Sequence, residues 1–283
     1  MFIDIHVLPA FYEPINGDER KEELRHEALD IHLNGIAKLE HIKNQMRCAG
    51  LDKMALLAQD YSSEHGEPIV SNDEIRTLVD CEPDRFIGIA SVDPLMPNAA
   101  DELERAFSDL KLKGLHLHLG RTRIWPGDER LQPLYDICEA HNRPIIFNAG
   151  MSWEPGSLAK YGRPIEYEEL AATRPSLRIC LSRFGWPWAE ECAMLMVKYA
   201  NVYTDTGILY FDNAREFFDR LFKHEVALTW VDRSLRHQVM FGSNNPRFEQ
   251  IRMAQALDGL GLRESTLELI KGGNAIEFLG GLD

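Results

Sequence analysis

Eight short runs rich in β-branched and aliphatic residues, at 2–8, 53–59, 85–91, 112–119, 143–148, 177–183, 201–205 and 237–243, recur along the chain with helical stretches between them. The intervening stretches carry apolar residues at i, i+3, i+4 and i+7. Leu103, Ala106, Phe107 and Leu110 form one such set, Leu131, Leu134, Tyr135 and Cys138 a second, and Cys192, Leu195, Met196 and Tyr199 a third. That spacing gives each helix one apolar stripe, which has to be covered by another element. Eight alternating units, with no Pro-, Gly- or Ser-rich linker to divide them, predict an α/β fold: a single (β/α)8 TIM barrel over residues 1–283. An open doubly wound sheet is the competing architecture. Asn98 is expected to cap the helix that follows it, with Asp101 and Glu102 in its first turn, and Gly114 and Gly261 to mark points where helices give way.

The longest interruption of the pattern, about 10–52, holds the charge run from Asp18 to Glu23 and then Ile36, Leu39, Ile42 and Met46 at helical spacing. It predicts a loop over the barrel mouth followed by the first barrel helix, with a lid and a solvated insertion as alternative roles. A formal net charge of -14 and a pI near 5.2 argue against nucleic acid or an anionic membrane as partner. The five cysteines are odd in number, scattered and without a Cys-x-x-Cys pair, so they read as reduced core residues of a cytoplasmic protein. No apolar run approaches the roughly 18 residues of a membrane span, and no signal-peptide pattern is visible. Assembly into a homo-oligomer is left open.

In such a barrel the chemistry sits at the carboxyl ends of the strands. There the chain offers His6 and Leu8, Asp60, His116 and His118, Asn148, Arg183, Asp205 and Asn244. Residues two apart on a strand share a face, so His116 and His118 are expected to point into the barrel together. Arg121, Arg123, Arg183 and Arg247 gather on the same side. Guanidinium groups stay charged and hold carboxylates by paired hydrogen bonds, so this clustering implies a small anionic molecule as ligand. The alternative for each arginine is a salt bridge to a structural acid such as Asp128 or Glu249.

Several stretches, in order along the chain, resemble the amidohydrolase-related (amidohydrolase 2) family of the amidohydrolase superfamily: IDIH at 3–6, AGLDK at 49–53, RFIGIASVDP at 85–94, GLHLH at 114–118, NVYTDT at 201–206, FGS at 241–243 and GGNA at 272–275. The resemblance implies a barrel hydrolase. Members of that family typically bind one divalent ion, often zinc, through His-x-His on the first strand and His on the fifth, with a substrate-binding His on the sixth and a basic Asp on the eighth. Of these five positions only His6 keeps its identity; Leu8, Asn148, Arg183 and Asn244 stand at the others. Catalytic zinc takes about three protein ligands, an arginine beside it is repulsive, and an asparagine amide accepts no proton. The departures therefore imply no metal and no other cofactor. Some relatives in the superfamily work without metal on lactones of sugar acids or on pyrone carboxylates.

The expected activity is a metal-independent hydrolase or lyase acting on a small carboxylate. His6, His118, Arg183 and Asn244 are expected to be catalytic, and His116, Arg121, Arg123, Asn148, Asp205 and Arg247 to bind substrate. A catalytically inactive relative that binds a small anion or a protein partner is one alternative. A metal site relocated to His6, His116 and His118 is the other.

Overall fold

A computed structural model describes residues 1–207 and 213–282. Eight strands run parallel in the order of the chain: β1 (Ile3–Val7), β2 (Lys53–Leu57), β3 (Phe86–Ser91), β4 (Leu115–Leu117), β5 (Ile145–Phe147), β6 (Ile179–Leu181), β7 (Val202–Asp205) and β8 (Val239–Met240). The ring closes where Ile5 N donates to the Phe241 carbonyl, Asn244 N to that of His6 and Leu8 N to that of Asn245, at 2.8 to 2.9 Å. The fold is thus the expected (β/α)8 barrel and not an open sheet.

Each expected strand run contains an observed strand, but the ladders are shorter. The run 112–119 narrows to Leu115–Leu117 and 237–243 to Val239–Met240. The flanking apolar residues are buried under loops and helices, and hydrophobicity alone does not separate a buried loop from a rung.

Strand parity divides the core into two layers. Ala55, Leu57, Ile87, Ile89, Ile146, Cys180, Tyr203 and Met240 pack inside the barrel, while Leu56, Leu115, Phe147, Leu181 and Val239 pack outward against the helices. The last helix (Asn274–Leu279) joins the inner layer near the start of β7, with the Phe278 ring 5.2 Å from that of Tyr203. In β1 a register shift between Asp4 and Val7 breaks the alternation, so that Ile5 joins the inner cluster and His6, the next residue, also reaches a barrel-interior partner.

Several local expectations need correction. The charge run from Asp18 does not form a loop: it opens the helix Glu19–Leu29, with the Asp18 side chain accepting from Arg20 N and Glu19 and Glu22 at the positive end of the dipole. Buried Arg25 pins that helix to the Ile15 and Ile69 carbonyls and to Glu74. Asn98 sits at the cap position of Ala99–Ser108, but its side chain makes no capping bond. Gly114 does not end a helix; a Cβ there would lie 3.1 Å from the Pro144 carbonyl oxygen, so it serves close strand packing. Cys138, Cys180 and Cys192 are buried, whereas Cys48 and Cys81 are exposed and outside the core.

Asp4 ties the two ends of the barrel together. Its buried carboxylate accepts from Ser243 N (2.9 Å), Ser243 Oγ (2.5 Å) and Gln250 Nε2 (2.8 Å). Asp4→Ala strands these donors in a dry seam and is expected to cost on the order of 2 to 4 kcal/mol. Urea denaturation checks this: a loss below about 0.5 kcal/mol, the range of neutral surface changes, contradicts the role.

Candidate functional site

At the carboxyl end of the barrel the strand termini deliver polar side chains onto an apolar floor. His116 continues the inward face of β4, and His118 follows one residue past the strand. Asn148 follows β5, and its N–H donates to the Leu117 carbonyl, which seats it beside the end of β4. Both histidines, Asn148, His6, Asp205 and Asn244 are buried. Leu8 is buried as well and belongs to the apolar inner cluster.

His6 Nδ1 lies 3.1 Å from Asp205 Oδ2. The other Asp205 oxygen accepts from Arg183 N (3.0 Å) and Gly207 N (2.8 Å). Burial pushes this carboxyl up, but the charge and hydrogen bond of His6 and the two backbone donors hold it below the usual carboxylate range. Both Asp205 oxygens are thus engaged by the protein, and the carboxylate orients His6 and the backbone at Arg183. Gly242 makes the pairing possible, because a Cβ there would lie 3.0 Å from His6 Cβ and 3.1 Å from Asp205 Cβ.

Arg183 follows β6, but parity does not aim it. Cys180 faces inward, so the next inward position is Ser182. Arg183 and Phe184 then take left-handed conformations (φ 59° and 53°), held by Asp205 under the Arg183 N–H and by Thr204 Oγ1 under that of Phe184 (3.0 Å each). This turn brings a 4% exposed side chain into the mouth. Its Nη2 donates to the Ala149 carbonyl (3.0 Å), its Nε has no partner, and no carboxylate lies within 4 Å among the described residues. Burial pulls the guanidinium down to about 10, partly offset by Asp205 and Glu154, which leaves it cationic at neutral pH.

The remaining arginines behave differently from one another. Arg121 is buried and committed, to Glu64 (2.8 and 3.1 Å), the Ala28 carbonyl (3.1 Å) and His65 (2.8 Å), over the Tyr61 ring. Arg247 donates to the Leu29 carbonyl. Arg123 is exposed at the end of the short helix Leu119–Thr122, outside the mouth, because its left-handed C-cap conformation turns the chain away.

Glu154, Gln59 and Ser152 belong to the site although the strand-end reasoning passed over them. Glu154 is 6% exposed, with Oε2 3.6 Å from His118 Nε2 and 4.0 Å from Arg121 Nη1. Burial pushes its carboxyl up against the pull of Arg121, Arg183 and Arg247. Ser152 Oγ lies 3.2 Å from His118 Nε2. Gln59 Nε2 donates to Tyr61 Oη and Glu154 Oε1, at 3.4 Å each. Parity was the available signal: with Leu57 inward, Gln59 points into the barrel and Asp60 does not. Asp60 instead binds Ser62 and lines a separate cavity of about 300 Å³ with Asp93.

His116 and His118 are held neutral. Burial pulls His116 down to about 4, and burial with Arg183 nearby pulls His118 well below the usual histidine value. The donor set does not fit a catalytic divalent ion. Leu8 is packed in hydrocarbon, a guanidinium occupies the mouth, and asparagines, not histidine and aspartate, follow the fifth and eighth strands at Asn148 and Asn244. Among the described residues no group of three or more His, Cys, Asp or Glu side chains is placed to hold a metal.

Solved structures share this architecture across nearly the whole chain. An uncharacterized TIM-barrel protein from Bordetella bronchiseptica is 21% identical, with a TM-score of 0.79 and 99% of both chains covered. The 2,6-dihydroxybenzoate decarboxylase from Rhizobium is 16% identical, with a TM-score of 0.66 and coverage of 99% and 98%. A probable 2-pyrone-4,6-dicarboxylic acid hydrolase from Acinetobacter baumannii, with citric acid bound, is 14% identical, with a TM-score of 0.64 and 99% of both chains covered. At these identities the likeness shows the fold. No curated protein matches the chain. The amidohydrolase family model matches residues 49–281, most of the barrel, and the chain belongs to that family.

Proposed function

We propose that this protein is a hydrolase or lyase that acts, without a catalytic metal, on a small carboxylate-bearing molecule in the barrel mouth. The observation that carries the reading is Arg183: a buried guanidinium that, among the described residues, has no carboxylate within ion-pair distance and whose Nε–H has no partner. Such a group is costly to bury alone and gains most from an anionic partner that arrives with the ligand. The decarboxylase and hydrolase among the structural neighbours carry carboxylates in the names of their substrates, and they correspond to the lyase and hydrolase forms of the reading.

In this reading Arg183 binds the substrate carboxylate or polarises its carbonyl, where a fixed charge in a dry site is most effective. Neutral His118, beside Ser152 and Glu154, takes the proton in the bond-breaking step. Asn148 and Asn244 hydrogen-bond the reacting oxygen, while Asp205 fixes His6 and the backbone of the Arg183 turn. The helix Glu19–Leu29, joined to Arg121 and Arg247 through its last carbonyls, serves as the cover.

Arg183→Ala is expected to weaken binding of small di- and tricarboxylates by on the order of 2 to 5 kcal/mol, more than alanine at Arg121, Arg123 or Arg247. Arg183→Lys should recover part of the loss, because an ammonium lacks the planar fork. Calorimetric titration of each variant checks the order; a stability loss in Arg183→Ala with unchanged ligand affinity contradicts it.

The neutral histidines also set a pH dependence. The unfolded chain takes up a proton near the ordinary histidine value of 6.5, whereas folded His116 resists protonation until about pH 4. Stability should therefore be level above pH 6.5 as far as His116 is concerned and fall as pH drops across that window. Urea denaturation of the wild type and His116→Gln at several pH values measures this: the variant should show a shallower acid slope, and an identical slope contradicts the buried neutral imidazole.

A further inference from the structure

Six buried polar atoms of the mouth have no partner among the described residues: Gln59 Oε1, His116 Nε2, His118 Nδ1, Asn148 Oδ1, Glu154 Oε2 and Arg183 Nε. Four of them are neighbours, and Arg183 is close enough to act electrostatically on His116, His118 and Glu154. Gln59 reaches Glu154, Glu154 approaches His118, and Asn148 follows the strand beside His118. Buried polar atoms are nearly always paired in folded proteins, so a cluster of unpaired ones marks where a ligand's own polar groups go.

Their chemistry is lopsided. The Ala58 carbonyl facing His116 Nδ1 only accepts, so Nδ1 carries the proton and Nε2 of the neutral ring is a bare lone pair. The Gln59 amide nitrogen is turned to Tyr61 and Glu154, which leaves its oxygen for the ligand. Asn148 Oδ1 is likewise an acceptor. Glu154 Oε2 joins these three when ionised, and His118 Nδ1 takes the role its tautomer sets. Only Arg183 Nε is an obligatory donor.

We infer that the ligand of this site is a hydroxylated carboxylate, with its anion on Arg183 and its O–H groups donated to the acceptors at the ends of β2, β4 and β5. The inference rests on the reading that Arg183 holds a carboxylate. A carboxylate of the same shape without hydroxyls would seal Gln59 Oε1, His116 Nε2 and Asn148 Oδ1 away from water unpaired, and a site built this way rejects such an analogue strongly. The specificity-determining residues are then Gln59, His116 and Asn148.

Calorimetric titration with matched pairs, malate against succinate and salicylate against benzoate, tests this on the full chain. The hydroxylated member of at least one pair should bind about tenfold tighter, the equivalent of one buried hydrogen bond to an otherwise unpaired group. Arg183→Ala should weaken both members alike. Gln59→Leu should shrink the ratio while keeping the affinity for the hydroxyl-free member. Equal affinities within each pair, still dependent on Arg183, overturn the inference and leave the carboxylate reading standing. Affinities indifferent to Arg183→Ala overturn the reading and the inference with it, as does failure of every member to bind at millimolar concentration.

Discussion

The Asp205 carboxylate is the junction on which the barrel mouth depends. It stands at the end of β7 with one oxygen on His6 and the other on the N–H groups of Arg183 and Gly207. The first, sixth and seventh strands are thereby fixed to one another through a single buried anion. Without it the left-handed turn at Arg183 and Phe184 loses one of its two side-chain anchors, and a turn held in that region costs on the order of 1 to 3 kcal/mol per residue. The same anion gives His6 its orientation. Burial alone would drive the carboxyl toward its neutral form, so the junction holds only because its donors are all present.

The barrel was legible in the sequence because a helix stripe and a strand alternation are properties of single segments. Leu103, Ala106 and Phe107 are buried as their spacing requires, and each expected strand contains an observed one. The inward pairing of His116 and His118 followed from the same period of two. Arg183 shows where that logic stops: it reaches the mouth through a turn whose conformation is set by Asp205 and Thr204, residues more than twenty positions away in sequence. Glu154 was out of reach for a related reason. It lies on the loop after β5, and nothing periodic in Met151 to Gly156 tells which loop side chain folds back over the strands. Gln59 was within reach, since parity from Leu57 selects it over Asp60.

The chemistry of the mouth turns on what stands where a cation would otherwise be held. A guanidinium is a permanent charge that needs no ligand shell, but it adds a desolvation cost that the Ala149 carbonyl offsets only in part. That residual cost favours an anion arriving with the ligand. Around it, neutral His116 and His118 and the amide oxygens supply lone pairs instead of charge, so the recognition proposed above divides into one ionic contact and several directional ones.

The central claim is that Arg183 and its neighbours do the work of a metal. Elemental analysis of the purified protein, before and after incubation with excess zinc and gel filtration, tests it most directly. Well under one equivalent of any divalent transition metal per chain is expected in both samples, since among the described residues no three His, Cys, Asp or Glu side chains are grouped to hold one. One tightly held equivalent per chain, lost on His116→Ala, would contradict it and place a metal among His6, His116 and His118.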